Sequence, residues 1–416
     1  MSKNALYAQS GGVTAAINVT AAAVVETVRM HGGTIGTLYA ARHGIVGALT
    51  EDLIDTSPEP AANIAGLRHT PGGAFGSCRY KLPDPGQDDR HYRRLLQVFD
   101  AHDIGYFFYN GGGDSMDTAL KLWQYSQAQG YPLQVIGIPK TVDNDLPVTD
   151  CCPGFGSVAK YVAVSIREAT RDLAAMATTS TQVFVLEVMG RHAGWIAAAG
   201  GLAGDDGPRA ILFPEVAFDA GRFLTRVRDA VARHGYCSVV ASEGVRDADG
   251  RFLAEAGTVD AFGHHQLGGA GPAVARLVTQ QLGFKTHWAV ADYLQRSARH
   301  LASAVDIEQA YAIGRAAVEM ALAGDSGVAP VIRRLADQPY RWDIASASLA
   351  ALANQERLLP AEFIGDDGFG ITDACRRYLT PLIAGEEYPP YTDGLPQYVQ
   401  LGNTPVVRRL AADFKL

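Results

Sequence analysis

The sequence predicts an α/β protein made of two doubly wound domains, each built on a mostly parallel β-sheet. Short apolar runs typical of strands alternate with longer runs of helical character along most of the first 300 residues. Glycine is abundant, with 45 residues, and it clusters where strand-like runs lead into helices. The chain of 416 residues is 47% apolar, so it is long enough for two or three domains with buried cores.

Five strand-to-loop units follow one another along the chain. Each begins with an apolar run and ends in glycines or polar residues: NALYAQSGG (4–12), IGYFFYNGGGDS (104–115), LQVIGIPKTVDND (133–145), STQVFVLEVMGRHAGW (180–195) and YCSVVASEGV (236–245). Helical runs follow the first two units, at residues 15–32 and 116–130. A further amphipathic helix is predicted over residues 156–179, because apolar residues recur there at helical spacing: Val158, Val162, Ile166, Ala169 and Leu173.

Composition argues against several classes of function. The net charge of −8 disfavours a general role at nucleic acids or membrane surfaces. The five cysteines are odd in number and form no CxxC pair, so neither a disulfide framework nor a structural zinc site is expected. The N-terminus is a poor signal peptide, and no run approaches the ~20 apolar residues of a membrane span. We therefore expect a cytoplasmic protein.

Two glycine-rich turns lie where ligands are expected, at the carboxyl ends of parallel strands. Gly11 and Gly12 precede a helix, where bare N–H groups can bind phosphate, although plain tight turns show the same pattern. The second turn, residues 111–115, carries Asp114, which would repel a phosphate unless a cation lay between them. The pattern points to Mg²⁺, a hard ion that binds carboxylate and phosphate oxygens, or simply to a helix cap by Asp114 or Ser115.

The segment GIPKTVDND, residues 137–145, is more specific. Lys140 can neutralise a phosphate as a point charge. Asp143 and Asp145 lie two residues apart and can face one side of an extended loop, where one takes a proton from an attacking hydroxyl and the other holds a metal or positions its partner. Two carboxylates, a lysine and Thr141 after a buried strand are poorly explained by an ordinary turn.

Two other patterns are interpreted as structural. GFGSVA, residues 154–159, fits the dinucleotide-binding pattern but follows DCCP and not a strand, so its required context is missing. The His264–His265 pair lies in a glycine-rich stretch and is predicted to be a surface loop rather than a metal site.

Taken together, the segments resemble the phosphofructokinase family. The motifs that carry the resemblance occur in the family's order over residues 5 to 300: SGG (10–12), GGAFGSCR (72–79), GGGDS (111–115), PKTVDND (139–145), EVMGRHAGW (187–195), SEG (242–244) and YLQRS (293–297). The resemblance implies the phosphofructokinase fold, with two Rossmann-like domains facing a cleft. Asp114 and Lys140 resemble the pyrophosphate-dependent branch, since ATP-dependent relatives typically carry glycine at both positions.

That pair of residues makes physical sense for pyrophosphate. The donor is small, highly charged and lacks an adenosine for binding energy, so its pocket needs an extra cation, which Lys140 supplies. Asp114 lies where the resemblance places the α-phosphate of ATP, and its charge and bulk would exclude the nucleotide.

The resemblance also implies roles for individual residues. Asp143 resembles the general base for the sugar 1-hydroxyl, and Arg191 resembles a group that stabilises the transferring charge. Lys140, Asp114, Gly12 and Arg79 resemble contacts to the phosphoryl donor. The expected acceptor-binding residues are Thr141, Val142, Asp143, Asp145, Met189, Gly190, Arg191, Glu243 (for sugar hydroxyls), Tyr293, Leu294, Gln295 and Arg296, with Tyr293 and Arg296 as the 6-phosphate clamp.

Three positions depart from the family pattern. Gly113 stands where many relatives carry an aspartate that binds magnesium, so a metal at Gly113–Asp114 must rely on Asp114, other carboxylates, water and the phosphates. Gln182 replaces an arginine that reaches a neighbouring subunit's substrate in bacterial ATP enzymes, and Tyr293 stands where those enzymes show histidine. Lys285 or His287 is then expected to supply the missing charge.

The expected division of the chain is a donor domain of residues 1–142 plus about 294–330, a sugar-phosphate domain of residues 143–293, and a helical and irregular extension over about 331–416. The resemblance implies a homodimer or larger homo-oligomer that needs Mg²⁺ and transfers phosphate reversibly from pyrophosphate to fructose 6-phosphate. Alternatives left open are an ATP-dependent kinase, sedoheptulose 7-phosphate as acceptor, and a non-catalytic sugar-phosphate sensor. An NAD oxidoreductase is a further alternative, but the misplaced GFGSVA pattern argues against it.

Overall fold

A computed structural model describes residues 2–204, 207–253, 255–259 and 265–416. The strands within these residues are β1 (Lys3–Gln9), β2 (Ile35–Ala41), β3 (Leu53–Asp55), β4 (Ile104–Gly111), β5 (Gln134–Pro139), β6 (Val183–Val188), β7 (Arg209–Leu212), β8 (Cys237–Ser242), β9 (Glu255–Val259), β10 (His265–Leu267), β11 (Thr286–Val290), β12 (Val328–Asp337), β13 (Tyr340–Ser348), β14 (Tyr391–Thr392), β15 (Leu395–Pro396) and β16 (Thr404–Pro405).

The helices in the described part of the chain are α1 (Ile17–Met30), α2 (Ile45–Thr50), α3 (Ala61–Gly66), α4 (Arg90–Ala101), α5 (Gly113–Ala128), α6 (Phe155–Met176), α7 (Trp195–Ala199), α8 (Ala220–His234), α9 (Ala270–Leu282), α10 (Asp292–Ser297), α11 (Ala304–Leu322), α12 (Leu349–Leu352) and α13 (Asp373–Leu379). Short 3₁₀ turns occupy Leu67–His69, Gly200–Ala203, Arg299–Leu301, Ala361–Phe363 and Thr380–Ile383. Within the described residues, no helix is long and apolar enough to cross a membrane.

Two sheets form the framework, and they confirm the predicted α/β class. The larger sheet has the order β13-β12-β5-β4-β1-β2-β3-β16, in which the pairs from β12 to β2 are parallel and the outer pairs are antiparallel. The smaller sheet is wholly parallel, with the order β11-β6-β8-β7. Two small antiparallel pairs, β9 with β10 and β14 with β15, complete the pairing in the described residues.

Helices cover both faces of the larger sheet, because side chains of its central strands alternate between two apolar clusters. Tyr7 of β1 packs in one cluster with α1, α6 and α11, and Leu6 packs in the other with α4, α5 and α12. Both side chains are fully buried. A third cluster joins β6, β7 and β8 to α8 and α9. This layering leaves the strand ends as the places where polar residues can gather.

The ends of several parallel strands meet at one edge of each sheet. Gln9 at the end of β1 lies beside Asn110 of β4, and Gly111 lies beside Pro139 of β5. In the smaller sheet, Val188 of β6 lies beside Ser242 of β8. Within each sheet, the loops that carry the motifs therefore begin side by side, at the adjacent ends of neighbouring strands.

The amphipathic helix predicted over residues 156–179 is confirmed as α6, which spans Phe155–Met176. Its N-terminus is already occupied, since the carboxylate of Asp306 accepts hydrogen bonds from the amides of Gly154 (2.8 Å) and Ser157 (3.1 Å). An internal carboxylate thus satisfies the helix end that a dinucleotide phosphate would need. The GFGSVA pattern is structural in this fold. His264 of the histidine pair lies outside the described residues.

The segment after residue 330 differs from the helical and irregular extension that the sequence suggested. β12 and β13 are two of the longest strands of the described chain and extend the larger sheet beyond β5. β16 near the C-terminus adds to the opposite edge through β3. The strand was not predicted because VAPVIRRLAD mixes charges with apolar residues, and its side chains are buried in the first half of the strand but partly exposed in the second.

Glu51 anchors the C-terminal tail on the larger sheet. Its carboxylate is 1% exposed and accepts hydrogen bonds from the Nε2 of His102 (2.7 Å) and from the backbone amides of Arg409 (2.5 Å) and Leu410 (3.2 Å). Three donors from two distant parts of the chain therefore depend on one buried carboxylate.

We expect Glu51→Ala to lower the free energy of unfolding by about 3 kcal/mol, because it leaves the buried His102 side chain and two backbone amides of the tail without an acceptor. Glu51→Gln keeps one acceptor oxygen and should cost less. Chemical denaturation of both variants measures the difference. Equal stability of Glu51→Ala and the unmodified protein would show that the tail is held by other contacts.

Candidate active site

A cleft of about 930 Å³ lies where the loops from the two sheets meet. Among the residues predicted for the site, most line this cleft: Gly12, Arg79, Gly113, Asp114, Lys140, Thr141, Val142, Asp143, Asp145, Met189, Arg191, Glu243, Tyr293 and Arg296. Gly190, Leu294 and Gln295 do not line it. The structure thus brings together groups that are up to 284 positions apart in sequence, from Gly12 to Arg296.

Lys140 is the most buried charged side chain of the cleft, with 3% exposure. Its ammonium donates hydrogen bonds to the carbonyl oxygens of Ser10 (2.9 Å) and Gly12 (2.7 Å), so the loop after β5 is tied to the loop after β1. Burial, and next the nearby guanidinium of Arg296, lower the pKa of Lys140 to about 8. The charge of Asp143 acts in the opposite direction. The lysine is therefore a cation at neutral pH that lacks a full complement of negative charge.

The glycines of the loop after β1 are required by close approach. Gly11 has φ of +76°, a conformation that other residues adopt at a cost. A Cβ on Gly12 would lie 2.7 Å from the guanidinium of Arg296. Arg296 therefore reaches across the cleft from α10 and lies against the loop that holds Lys140.

Asp114 lies in the first turn of α5 and also faces the cleft. Its carboxylate forms an ion pair with Lys81 at 3.2 Å, and both side chains are about half exposed. The sequence analysis did not predict Lys81, which lies two residues beyond Arg79, the last residue of the GGAFGSCR motif. A Cβ at Gly113 would make ordinary contacts, with its nearest neighbours, Leu146 and Gln355, at 3.8 and 4.0 Å.

Asp143 and Asp145 lie on the loop after β5 and influence each other. Burial raises the pKa of Asp143 above its usual range, and the charge of Glu243 raises it further, against the lowering effect of Lys140. Burial likewise raises the pKa of Asp145, with the charge of Asp143 as the next cause. Glu356 adds to the repulsion at both carboxyl groups. A carboxylate with a raised pKa is well suited to take a proton near neutral pH.

The loops of the smaller sheet supply the opposite wall. The carboxylate of Glu243 accepts a hydrogen bond from the amide of Gly190 (3.3 Å), and burial raises its pKa. The amide of Met189 donates to the side chain of Gln295 (3.3 Å), which is 2% exposed. Gly190 and Gln295 thus lie behind the cleft wall and hold it in place.

α10 carries the remaining predicted residues. The guanidinium of Arg296 packs over the ring of Tyr293 at 3.8 Å, an arrangement that holds the arginine toward the cleft. Leu294 is 65% exposed and points away from this contact surface. Neither Lys285 nor His287 is among the described residues that line the cleft, and Lys285 instead donates to Ser180.

One part of the cleft wall was not predicted. Asn354, Gln355 and Glu356 line the cleft from the loop after α12, and Glu356 accepts a hydrogen bond from His192 at 3.0 Å. No motif marks these residues, and they follow a hairpin that the sequence did not reveal. His192 could have been found, since it directly follows Arg191 in a predicted motif.

The cleft offers hard oxygen ligands but no complete metal cage. Within the described residues, no group of three or more His, Cys, Asp or Glu side chains is arranged to hold a metal ion. The half-exposed carboxylate of Asp114 fits Mg²⁺, which commonly binds through one or two carboxylates together with substrate phosphates and water.

Comparisons with known proteins agree with one another. The family model described as Phosphofructokinase matches residues 4–321. The chain is 65% identical to a pyrophosphate–fructose 6-phosphate 1-phosphotransferase of Methylococcus capsulatus, over 100% of this chain and 99% of that protein. It is 59% identical to a protein of the same name from Halomonas elongata, over 99% of each. A crystal structure of a pyrophosphate-dependent phosphofructokinase from Nitrosospira multiformis matches with a TM-score of 0.93 and 59% identity, over 100% of each chain.

Replacing Asp143 by asparagine should lower the pKa of Asp145, because the charge of Asp143 is one of the causes that raise it. Proton uptake by the unliganded protein, titrated between pH 8 and pH 4, should then move to lower pH in Asp143→Asn. An unchanged or higher midpoint would mean that the two carboxyl groups do not interact as described.

Proposed function

Since the chain belongs to the phosphofructokinase family, we propose that it transfers a phosphoryl group from pyrophosphate to fructose 6-phosphate. The products are fructose 1,6-bisphosphate and phosphate. The observation that carries this proposal is the buried ammonium of Lys140 beside the glycine loop, in a cleft that also holds Asp114. The full-length similarity to proteins named for this activity supports it.

The donor end of the cleft suits a small polyanion. Lys140 and Arg79 bring two cations to the cleft beside the loop at Gly12. Pyrophosphate compensates these charges without needing contacts to a base or sugar. Burial and the charge of Arg296 lower the pKa of Lys140, and a bound phosphate would favour its charged form.

Asp114 limits the donor to the inorganic form. Its carboxylate would repel a further phosphate at the start of α5, where a helix N-terminus otherwise attracts anions. The ion pair with Lys81 holds Asp114 in this position at the rim. A nucleotide that extended to the start of α5 would have to displace this ion pair, whereas the shorter pyrophosphate would not extend that far.

Asp143 acts as the general base. It takes the proton of the sugar 1-hydroxyl as that oxygen attacks the nearer phosphorus, so that the new O–P bond forms while the bridging P–O bond breaks and phosphate leaves. Arg191 stabilises charge on the transferring group from the opposite wall. The proton then passes from Asp143 to solvent or to the departing phosphate.

The sugar lies between the loops of the two sheets. Glu243 accepts hydrogen bonds from sugar hydroxyls, Met189 contacts the ring, and Gly190 supports Glu243 from behind the cleft wall. Tyr293 and Arg296 bind the 6-phosphate, for which the Arg296 side chain moves away from the loop at Gly12, and Gln295 holds the Met189 loop. Thr141, Val142 and Asp145 line the catalytic loop on the sugar side.

Mg²⁺ is the expected metal. Asp114 would hold it together with water and the phosphates, and the ion would neutralise charge on the phosphate oxygens. Gly113 supplies no side-chain ligand at this place.

We also propose the assembly and location of the enzyme. The donor domain comprises residues 1–142 plus about 294–330, and residues 143–293 form the sugar-phosphate domain. The enzyme works in the cytoplasm as a homodimer or larger homo-oligomer, without a nucleic-acid or membrane partner.

The function is tested by assaying purified protein with magnesium and fructose 6-phosphate, with pyrophosphate and ATP compared side by side. We expect turnover with pyrophosphate and little with ATP. Both donor and product contain phosphate linkages of comparable energy, so phosphate-dependent breakdown of fructose 1,6-bisphosphate should also be seen. Preference for ATP, or absence of the reverse reaction, would contradict the proposal.

Replacing Asp114 and Lys140 together by glycine sharpens this test. Loss of a preorganised cation should lower kcat/KM for pyrophosphate by about 100-fold or more, while ATP use is unchanged or improved. Lys160→Met is the matched control, because Lys160 is also buried and bonded to a carbonyl oxygen, that of Gly385 at 2.6 Å, outside the cleft.

A further inference from the structure

The loop of residues 354–357 lies beyond the part of the chain that the family model matches, which ends at residue 321. It follows α12, and three of its residues line the cleft. The fourth, Arg357, turns the other way and contacts the catalytic loop from behind. Because Arg357 lies outside the matched region, the family resemblance implies no role for it.

Arg357 binds the catalytic loop through four backbone carbonyl groups. Its guanidinium donates to the carbonyl oxygens of Asn144 (2.9 Å), Thr149 (2.8 Å) and Asp150 (2.9 Å). Its own amide donates to the carbonyl oxygen of Asp145 at 2.6 Å. One residue thus satisfies acceptors at both ends of the segment 144–150.

The position of these bonds matters because Asn144 stands between Asp143 and Asp145. Asn144 has φ of +54°, so the backbone turns sharply at this residue. Fixing the carbonyl groups of Asn144 and Asp145 fixes the peptide planes from which the two carboxylate side chains leave. The guanidinium fork suits this task, since it presents several donors in a rigid plane.

Arg357 is itself held firmly. Its guanidinium packs over the ring of Trp195 at 4.7 Å, and the indole N–H of Trp195 donates to the Arg357 carbonyl at 3.0 Å. At the other end of the loop, Asn354 donates to Asp117 of α5 at 2.8 Å. The loop therefore connects the catalytic loop to the helix that carries Asp114.

We propose that Arg357 is a positioning residue for the phosphoryl transfer, which holds Asp143 and Asp145 in their orientation toward the cleft by clamping the carbonyl groups of residues 144–150. The proposal rests on the proposed function for its kinetic consequences. Arg357 acts through the loop and does not touch the substrates. The C-terminal part of the chain thereby contributes to catalysis.

The test compares Arg357→Gly and Arg357→Lys with the unmodified full-length protein. A displaced general base lowers kcat by about 100-fold in Arg357→Gly, while KM for both substrates changes far less, because the donor and sugar contacts remain. Arg357→Lys keeps the charge but loses the planar fork, so it should recover only part of kcat. Added guanidinium ion, well below denaturing concentrations, should restore part of kcat to Arg357→Gly and none to Arg357→Lys.

Hydrogen exchange provides a readout that needs no activity. The backbone amide of Asp150 donates to the carbonyl oxygen of Ile332 in β12, and the backbone amide of Cys152 donates to the side chain of Asn144. They should exchange faster in Arg357→Gly than in the unmodified protein. The matched control is Arg29→Ala, which also removes an arginine bonded to two carbonyl oxygens, those of Thr56 and Glu59, but away from the cleft.

The outcomes separate the two proposals. A fall in kcat with guanidinium rescue and faster loop exchange supports the positioning role. Unchanged kcat and exchange in folded Arg357→Gly overturn it, as does a loss of kcat that guanidinium does not relieve and that Arg29→Ala reproduces. If the unmodified protein turns over neither donor, the proposed function fails, and the exchange comparison still decides whether Arg357 holds the loop.

Discussion

The buried ammonium group of Lys140 is the interaction on which the site depends. Moving a charge out of water is costly unless other groups compensate it, and here two backbone carbonyl groups do so in part. Because these carbonyl groups belong to the loop after β1, the lysine also fixes the distance between two strand ends. A single side chain therefore contributes to both the charge and the shape of the proposed donor pocket.

The rest of the cleft combines opposite charges that are incompletely matched without substrates. Arg79 and Arg296 repel Lys140, and the carboxyl groups of Asp143, Asp145 and Glu243 have raised pKa values. A phosphate donor would compensate the positive charges. The carboxyl groups are suited to accept the proton that the sugar hydroxyl loses. The unliganded site thus stores electrostatic preference for the reacting state, which is the main means of accelerating phosphoryl transfer.

The sequence predicted the features that depend on local pattern. Apolar runs ending in glycines or polar residues located β1, β4, β5, β6 and β8, and the polar cluster after β5 located Lys140 and Asp143 in the cleft. Glu243 was predicted from the family resemblance. Features that depend on long-range packing were not predictable. Arg357 follows no motif, and its bonds to residues 144–150 exist only because α12 returns the chain to the catalytic loop. The Lys81–Asp114 pair likewise depends on how two loops meet.

The most direct test of this account is the affinity for pyrophosphate as a function of pH, measured by calorimetry on the unmodified protein and on Lys140→Met. Because the pKa of Lys140 lies at about 8, affinity in the unmodified protein should fall by roughly tenfold per pH unit above that value, relative to the variant. Lys140→Met corrects for the ionisation of pyrophosphate itself and should bind weakly at every pH. Equal affinities with the same pH dependence in both proteins would contradict the central role of the buried lysine.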